Sequence, residues 1–313
     1  MNNNTLDNSK RTKISSTIKA HFLMVLLVVA WGFDYVPAKW GIEVMPTAVL
    51  LLYKYGCGLL FMLIVKVVTR NKALIRVKDI PLFLLCALFG QLLYYYGEYT
   101  AMDYLPVALI TIVLAFVPVL SIIIERVLFG IRANKIIVVG IAVLMVGIVL
   151  VLGADFSILL KGRGLGYIFA FGAVVSWNVY NFVTASLDER YDTITLACTQ
   201  MLCTVLLVLP IALHSMPDPE IYTTKIILAI LWMGLIDSGI GFIVYIFSIE
   251  ILGPTTTALY SNFLPVTTIF FGAIFLHESI TLLQIIGGII VIVSGFVVIK
   301  EKGRLDEERL KTH

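Results

Sequence analysis

Val28-Val29-Ala30-Trp31 has a near-copy at Val174-Val175-Ser176-Trp177, and Phe116-Val117-Pro118-Val119 has one at Phe263-Leu264-Pro265-Val266. Both pairs are offset by about 146–147 residues, and the same shift carries Gly140 onto Gly287. A single offset across such distant segments marks two copies of one unit. Both copies are apolar. Of 313 residues 60% are hydrophobic and 14% charged, with a mean hydropathy of +0.99. A soluble domain carries about 25% charged residues, so a water-exposed surface cannot be covered here and a soluble globular enzyme is excluded. Disorder is excluded as well, since it needs low hydrophobicity and high charge. The net charge of +3 is too near neutral to suggest a nucleic-acid partner. The chain reads as an integral membrane protein.

A helix crossing the hydrocarbon core needs ~20 mostly apolar residues. Ten such spans can be drawn, at 20–41, 47–68, 80–102, 105–128, 134–153, 164–186, 193–214, 225–249, 254–276 and 281–300. The ~10-residue alternating segments of a membrane barrel are absent. The apolar run from Phe22 is too long for a signal-peptide core and lacks a small-x-small cleavage site, so no cleavable leader is expected. With both termini in the cytoplasm, 18 of the 23 basic residues fall on the cytoplasmic side. Only Lys161, Arg163 and Lys225 fall outside, and Lys39 and Lys54 lie within spans. The positive-inside rule selects that orientation.

Each copy holds five spans. Five is odd, so the second copy enters from the opposite side and the repeats are inverted. The expected fold is therefore an all-α integral membrane protein of ten transmembrane helices in two inverted five-helix repeats. The expected division is a cytoplasmic tail 1–19, a first repeat 20–153, an extracytoplasmic linker 154–163, a second repeat 164–300 and a cytoplasmic tail 301–313, the last read as a short surface helix. Inverted repeats are typical of secondary transporters, whose site lies near the midplane between the repeats.

At this point the chain resembles the drug/metabolite transporter superfamily, EamA type. The resemblance rests on the ten-span arrangement, on Trp31-Gly32 late in span 1, and on proline-centred spans 4 and 9. It also rests on Ala101-Met102-Asp103-Tyr104-Leu105-Pro106 leading into Val107-Ala108-Leu109, and on Glu278 at the end of span 9. It runs from about residue 20 to 300. It implies alternating access, and it implies that spans 4, 5, 9 and 10 form a scaffold and a homodimer contact. Those spans carry small-residue seams at Gly140/Gly147 and Gly287/Gly288/Gly295, which permit close helix approach. Their main polar exceptions are Asn262 and His277. His277-Glu278 reads as a solvated loop pair.

Charges deep in a bilayer cost ~2.5–3.5 kcal/mol each on insertion scales and usually face a cavity or a partner. Four lie deep here: Asp34, Lys54, Glu98 and Asp237. They are the candidate substrate-binding residues, together with Trp31, Tyr94, Trp177, Asn181, Gln200 and Tyr245. Gln91, Tyr94, Tyr95 and Glu98 share one face of span 3 at helical spacing, as do Asp237, Gly241 and Tyr245 on span 8. The repeat shift places Lys54 on Gln200 and Glu98 on Tyr245. Three acids against one base favour a cation or the amino end of a zwitterion, with Lys54 open to a carboxylate. Aromatic faces beside acids suit an ammonium through cation–π attraction. The plainer alternative is an Asp34–Lys54–Glu98 ion cluster that only locks spans 1 to 3. Asp237, with no base in its own span, stands out as the functional acid. Apolar surroundings disfavour a charged carboxyl, so Asp237 and Glu98 are the candidates for proton coupling.

The expected function is a secondary active transporter of a small polar metabolite (an amino acid, an organic amine or a cationic drug) in the cell's inner membrane, with membrane lipid around it. Export and import are equally open. An intramembrane enzyme lacks support, because no HExxH or Gly-x-Gly-Asp motif is present. Ser238 has no intramembrane histidine as a base, since His21 and His277 lie near span ends. A channel would show pore rings or filter loops. A carrier of phosphorylated anions would need more buried cations than Lys54. No catalytic residue, metal or cofactor is expected, and Cys57, Cys86, Cys198 and Cys203 read as core filler.

Overall fold

The structure is a computed structural model, described at residues 3–71, 73–105, 107–151, 164–188, 190–275 and 280–312. Among them, ten helices follow one another. They are α1 (Asn3–Ile42), α2 (Thr47–Val68), α3 (Val77–Ala101), α4 (Ile110–Leu128), α5 (Lys135–Val151), α6 (Gly164–Asp188), α7 (Thr193–Ala212), α8 (Thr224–Leu252), α9 (Pro254–Phe275) and α10 (Leu282–Thr312). Nine are long and apolar enough to cross a membrane. The 17-residue α5 is shorter, about 25 Å at a rise of ~1.5 Å per residue. The outward faces carry large apolar side chains that water would not tolerate in such number, among them Phe22, Leu60, Val67, Val139, Ile168 and Ile289. The protein is a multi-pass membrane protein, with an apolar core inside and an apolar coat outside.

The packing obeys the repeat. α1 packs on α8 as α6 packs on α3, α1 on α9 as α6 on α4, and α2 on α8 as α7 on α3. The remaining strong pairs, α2 with α7 and α5 with α10, join equivalent helices of the two copies. The irregularities repeat as well. A π-helical stretch spans Ala87–Leu93 in α3 and Trp232–Ile240 in α8. α4 is interrupted between Leu114 and Val117, and α9 tightens into a 3₁₀ turn at Tyr260–Phe263. Pro118 and Pro265 follow these breaks, and neither has an N–H to give the carbonyl one turn earlier; at Ser261 the Leu264 amide serves instead.

The α5–α10 seam depends on glycine. A Cβ on Gly287 would stand 2.5 Å from the Val151 amide nitrogen and 2.8 Å from the Gly147 carbonyl oxygen. Two boundaries differ from the sequence reading. The segment before residue 20 is helical from Asn3 and continuous with α1. The segment 301–313 is no separate surface helix, because α10 runs on to Thr312. Burial explains the second difference: Lys302 Nζ lies 3.1 Å from Glu125 Oε2 and 2.7 Å from Asp306 Oδ1, tying this extension to the end of α4. The 154–163 linker and His277-Glu278 lie outside the described residues.

Candidate substrate chamber

The α2–α8 crossing sets the chemistry. A Cβ on Gly58 would meet the Gly234 carbonyl oxygen and Ser238 Cβ, each at 3.1 Å, so the two helices meet almost backbone to backbone. That approach presses Lys54, one turn from Gly58, onto Asp237. Lys54 Nζ lies 2.7 Å from Asp237 Oδ2 and 3.6 Å from Asp34 Oδ2. It also donates to Tyr99 Oη at 3.3 Å and sits 3.6 Å from the Tyr95 ring centroid. The lysine is fully buried. Two carboxylates, a phenol and an aromatic face thus enclose one ammonium.

The acids face a cavity of about 40 Å³, the room of roughly two or three waters. Six of the ten expected residues line it: Trp31, Asp34, Tyr94, Glu98, Trp177 and Asp237. Lys54 sits behind this wall, touching Asp34 and Asp237 from the far side. Asp34 Oδ1 is buried without a hydrogen-bond partner. The Tyr35 hydroxyl donates to Glu98 Oε1 at 2.6 Å. Asp34 and Glu98 both belong to the halves of α1 and α3 that run away from the side of the termini, so the cavity lies off-centre in that direction.

Below it, toward the termini, lies an aromatic floor. Trp177 packs on Tyr94, Tyr245 and Trp31 with ring centroids 4.5, 5.1 and 5.9 Å apart. Trp177 Nε1 donates to Tyr245 Oη at 2.9 Å, and that hydroxyl donates to Asn181 Oδ1 at 3.0 Å. Tyr245 and Asn181 therefore brace the wall from outside the cavity. Gln200 lies farther off, accepting from Tyr180 Oη at 3.3 Å and donating to Thr184 Oγ1 at 3.2 Å.

The sequence reading missed Tyr35, Ala38, Tyr99, Ser261 and Leu264 on the wall. Tyr35 follows Asp34 and Tyr99 follows Glu98, so adjacency was the available signal. Ser261 and Leu264 reach the wall through the 3₁₀ turn of α9, which no spacing rule marks. Gln91, expected on the same face as Glu98, instead accepts from Thr204 Oγ1 of α7 at 2.6 Å. The π-helical stretch shifts the register between the two, so ordinary helical spacing does not carry across it. The ion cluster differs too. The plainer alternative from sequence grouped Lys54 with Asp34 and Glu98, whereas the shortest contact joins Lys54 to Asp237 across the repeats.

The repeat shift gives this pair a neutral twin. Lys54 corresponds to Gln200 and Asp237 to Gln91. Thr204 Oγ1 links that second crossing, its one O–H proton lying within reach of Gln91 Oε1 at 2.6 Å and of the Gln200 carbonyl at 2.9 Å. One crossing carries charge and the equivalent one carries amides.

Polar contacts tie the helix ends together on both sides. On the side of the termini, Arg190 Nη1 meets Asp79 Oδ1 at 2.6 Å, Tyr191 Oη donates to Asp79 Oδ2 at 2.6 Å, and Asn71 Nδ2 donates to Asp192 Oδ1 at 2.7 Å. On the other side, Tyr53 and Tyr222 hydroxyls lie 2.8 Å apart and Lys225 Nζ stands 4.2 Å above the Trp40 ring.

Ten helices in inverted repeats, with scarce charge gathered between the copies, define a polytopic membrane protein of the transporter type. The profile of the EamA-like transporter family matches residues 18–153 and again 164–300. The chain belongs to that family. Among its relatives is the uncharacterized transporter YvbV of Bacillus subtilis, 23% identical over 284 residues covering 90% of this chain and 92% of that one. Another is a probable terminal-alkyne amino-acid exporter of Streptantibioticus cattleyicolor, 24% identical over 288 residues covering 86% and 90%. A solved crystal structure matches with a TM-score of 0.72 over 93% of this chain and 99% of the other, at 18% identity.

Proposed function

We propose that this transporter moves a small, positively charged or zwitterionic metabolite by alternating access, with both termini in the cytoplasm and proton movement coupled to the cargo. The single observation that carries the reading is the acid-walled cavity between the repeats, in which Asp34 Oδ1 is buried and unpartnered. A buried carboxylate oxygen without a donor is costly, and a cargo ammonium would satisfy it. The Streptantibioticus relative, named as a probable amino-acid exporter, points to amine-bearing cargo as well. Phosphorylated anions fit poorly, because the one deep lysine is already enclosed by carboxylates. Of the two acids expected to carry a proton, Glu98 is the better placed. It fronts the cavity and its partner is a neutral phenol, whereas Asp237 is held by Lys54.

The test is solute counterflow in proteoliposomes with choline, phenylalanine and glucose 6-phosphate. Exchange of choline or phenylalanine, driven further by an imposed pH gradient, is the expected result. Exchange of glucose 6-phosphate alone would sink the cation reading. Indifference to the gradient, with unchanged rates in Glu98→Gln and Asp237→Asn, would sink the coupling. The orientation is checked by protease sensitivity of tags at both ends in inside-out vesicles.

A further inference from the structure

We infer that the cargo is an organic ammonium without a carboxylate, because Lys54 already serves as the chamber's internal ammonium and no free cation is left to hold an acid. This rests on the reading of the cavity as the cargo site and narrows it.

A zwitterion needs two receptors, an anionic one for its ammonium and a cationic or donor-rich one for its carboxylate. The first is present. Asp34 offers an unpartnered oxygen, Glu98 fronts the same space, and the faces of Trp31, Tyr94 and Trp177 supply cation–π surface. The second has no cation among the described residues that line the cavity: none of them is Lys, Arg or His.

Lys54 is behind the wall and spent: Asp237, Asp34, Tyr99 and the Tyr95 ring take up its Nζ. A broken helix can bind a carboxylate through free amides, and α9 breaks beside the cavity at Ser261. At that break the Leu264 amide is bonded to the Ser261 carbonyl and Pro265 has no N–H, so neither offers a free amide, and the Asn262 side-chain amide, buried without a partner, brings no charge. The indole N–H of Trp177 is given to Tyr245. Tyr94 and Tyr95 offer phenols, which can donate one hydrogen bond but bring no charge. A cargo carboxylate would therefore lie among three acids balanced by one base.

The experiment uses the full chain in detergent and two probe pairs: phenethylamine against phenylalanine, which differ only by a carboxylate, and choline against glycine betaine, in which a carboxylate replaces the hydroxymethyl group. Calorimetric titration is expected to show each amine binding at least roughly tenfold tighter than its carboxylated partner, a gap of about 1.4 kcal/mol. Asp34→Asn and Glu98→Gln should each weaken the amines, and either variant suffices if the other fails to fold. Phenylalanine or betaine binding as tightly as its amine overturns this inference while leaving a zwitterion transporter standing. Binding of glucose 6-phosphate, with none of the four probes bound, overturns both the inference and the cation reading beneath it.

Discussion

Replacing Lys54 with Met should be among the most damaging single changes in the chain, and its size follows from the distances. At an effective dielectric of ~20, the 2.7 Å contact to Asp237 gives about 6 kcal/mol of attraction and the 3.6 Å contact to Asp34 about 5. Taking three charges out of water offsets most of that, so the pair adds little net stability. Breaking it is another matter. The Asp237 side chain is 2% exposed, and without Lys54 it keeps the Ser238 hydroxyl, which donates to Oδ2 at 3.3 Å. An orphaned charge of this kind costs ~3–5 kcal/mol. The double variant Lys54→Met/Asp237→Asn removes both partners and should recover about half of the loss or more. Reversible unfolding in mixed micelles, run as a double-mutant cycle, measures both figures. A single-variant cost below ~1 kcal/mol, or a double variant whose cost is the sum of the singles, would refute the argument that this is a desolvated pair.

Three further outcomes follow from the packing and the loops. Gly287→Ala should destabilise by ~1–3 kcal/mol through overpacking, since its Cβ would strike the backbone of α5, whereas Gly288→Ala, which meets only Val266 at 3.7 Å, should be near neutral in the same assay. Arg190→Ala leaves the Asp79 carboxylate with Tyr191 alone and should open the side of the termini. Maleimide labelling of buried Cys198, with the other cysteines replaced by serine, should then quicken several-fold, and an unchanged rate would count against a latch there. At Asp192, burial pushes the carboxyl up, but bonds from the Thr195 hydroxyl and amide and from Asn71 outweigh it and hold the pKa below the usual range. A depressed folded pKa adds stability that is complete above the unfolded value of about 3.9 and is lost as pH falls through the folded one. Asp192→Asn keeps a capping oxygen but removes the carboxylate charge at the N-terminus of α7, so it should cost ~0.3–1 kcal/mol near neutral pH, and the gap to wild type should close as pH falls below about 4.

Much of the fold is legible in the sequence, for physical reasons. A bilayer demands long apolar helices whatever their partners, so the spans show as hydropathy. Duplication leaves the same offset at Trp31/Trp177, Pro118/Pro265 and Gly140/Gly287, and an odd number of spans per copy forces inversion. The candidate site is partly legible for a related reason: buried charge is costly, so Asp34, Lys54, Glu98 and Asp237 stand out against an apolar ground. Six of the ten residues so chosen line the cavity. Tyr245 and Asn181 brace it, Lys54 backs it, and Gln200 belongs to the amide crossing on the far side of the repeat axis.

What the chain order alone leaves open is who meets whom. Composition counts three acids and one base; it does not say that the base is already taken. The Gly58–Gly234 approach decides that, because it brings backbones from two repeats close enough for Lys54 to reach Asp237. The π-helical stretches decide which side chains share a face, because they shift the register by an amount that a fixed helical period cannot express. Local sequence thus determined the helices, their number and their inversion, since those follow from each residue's exchange between water and lipid. Contacts between residues 183 positions apart, such as Lys54 and Asp237, exist only once the helices have packed, and it is there that the chamber's charge was set.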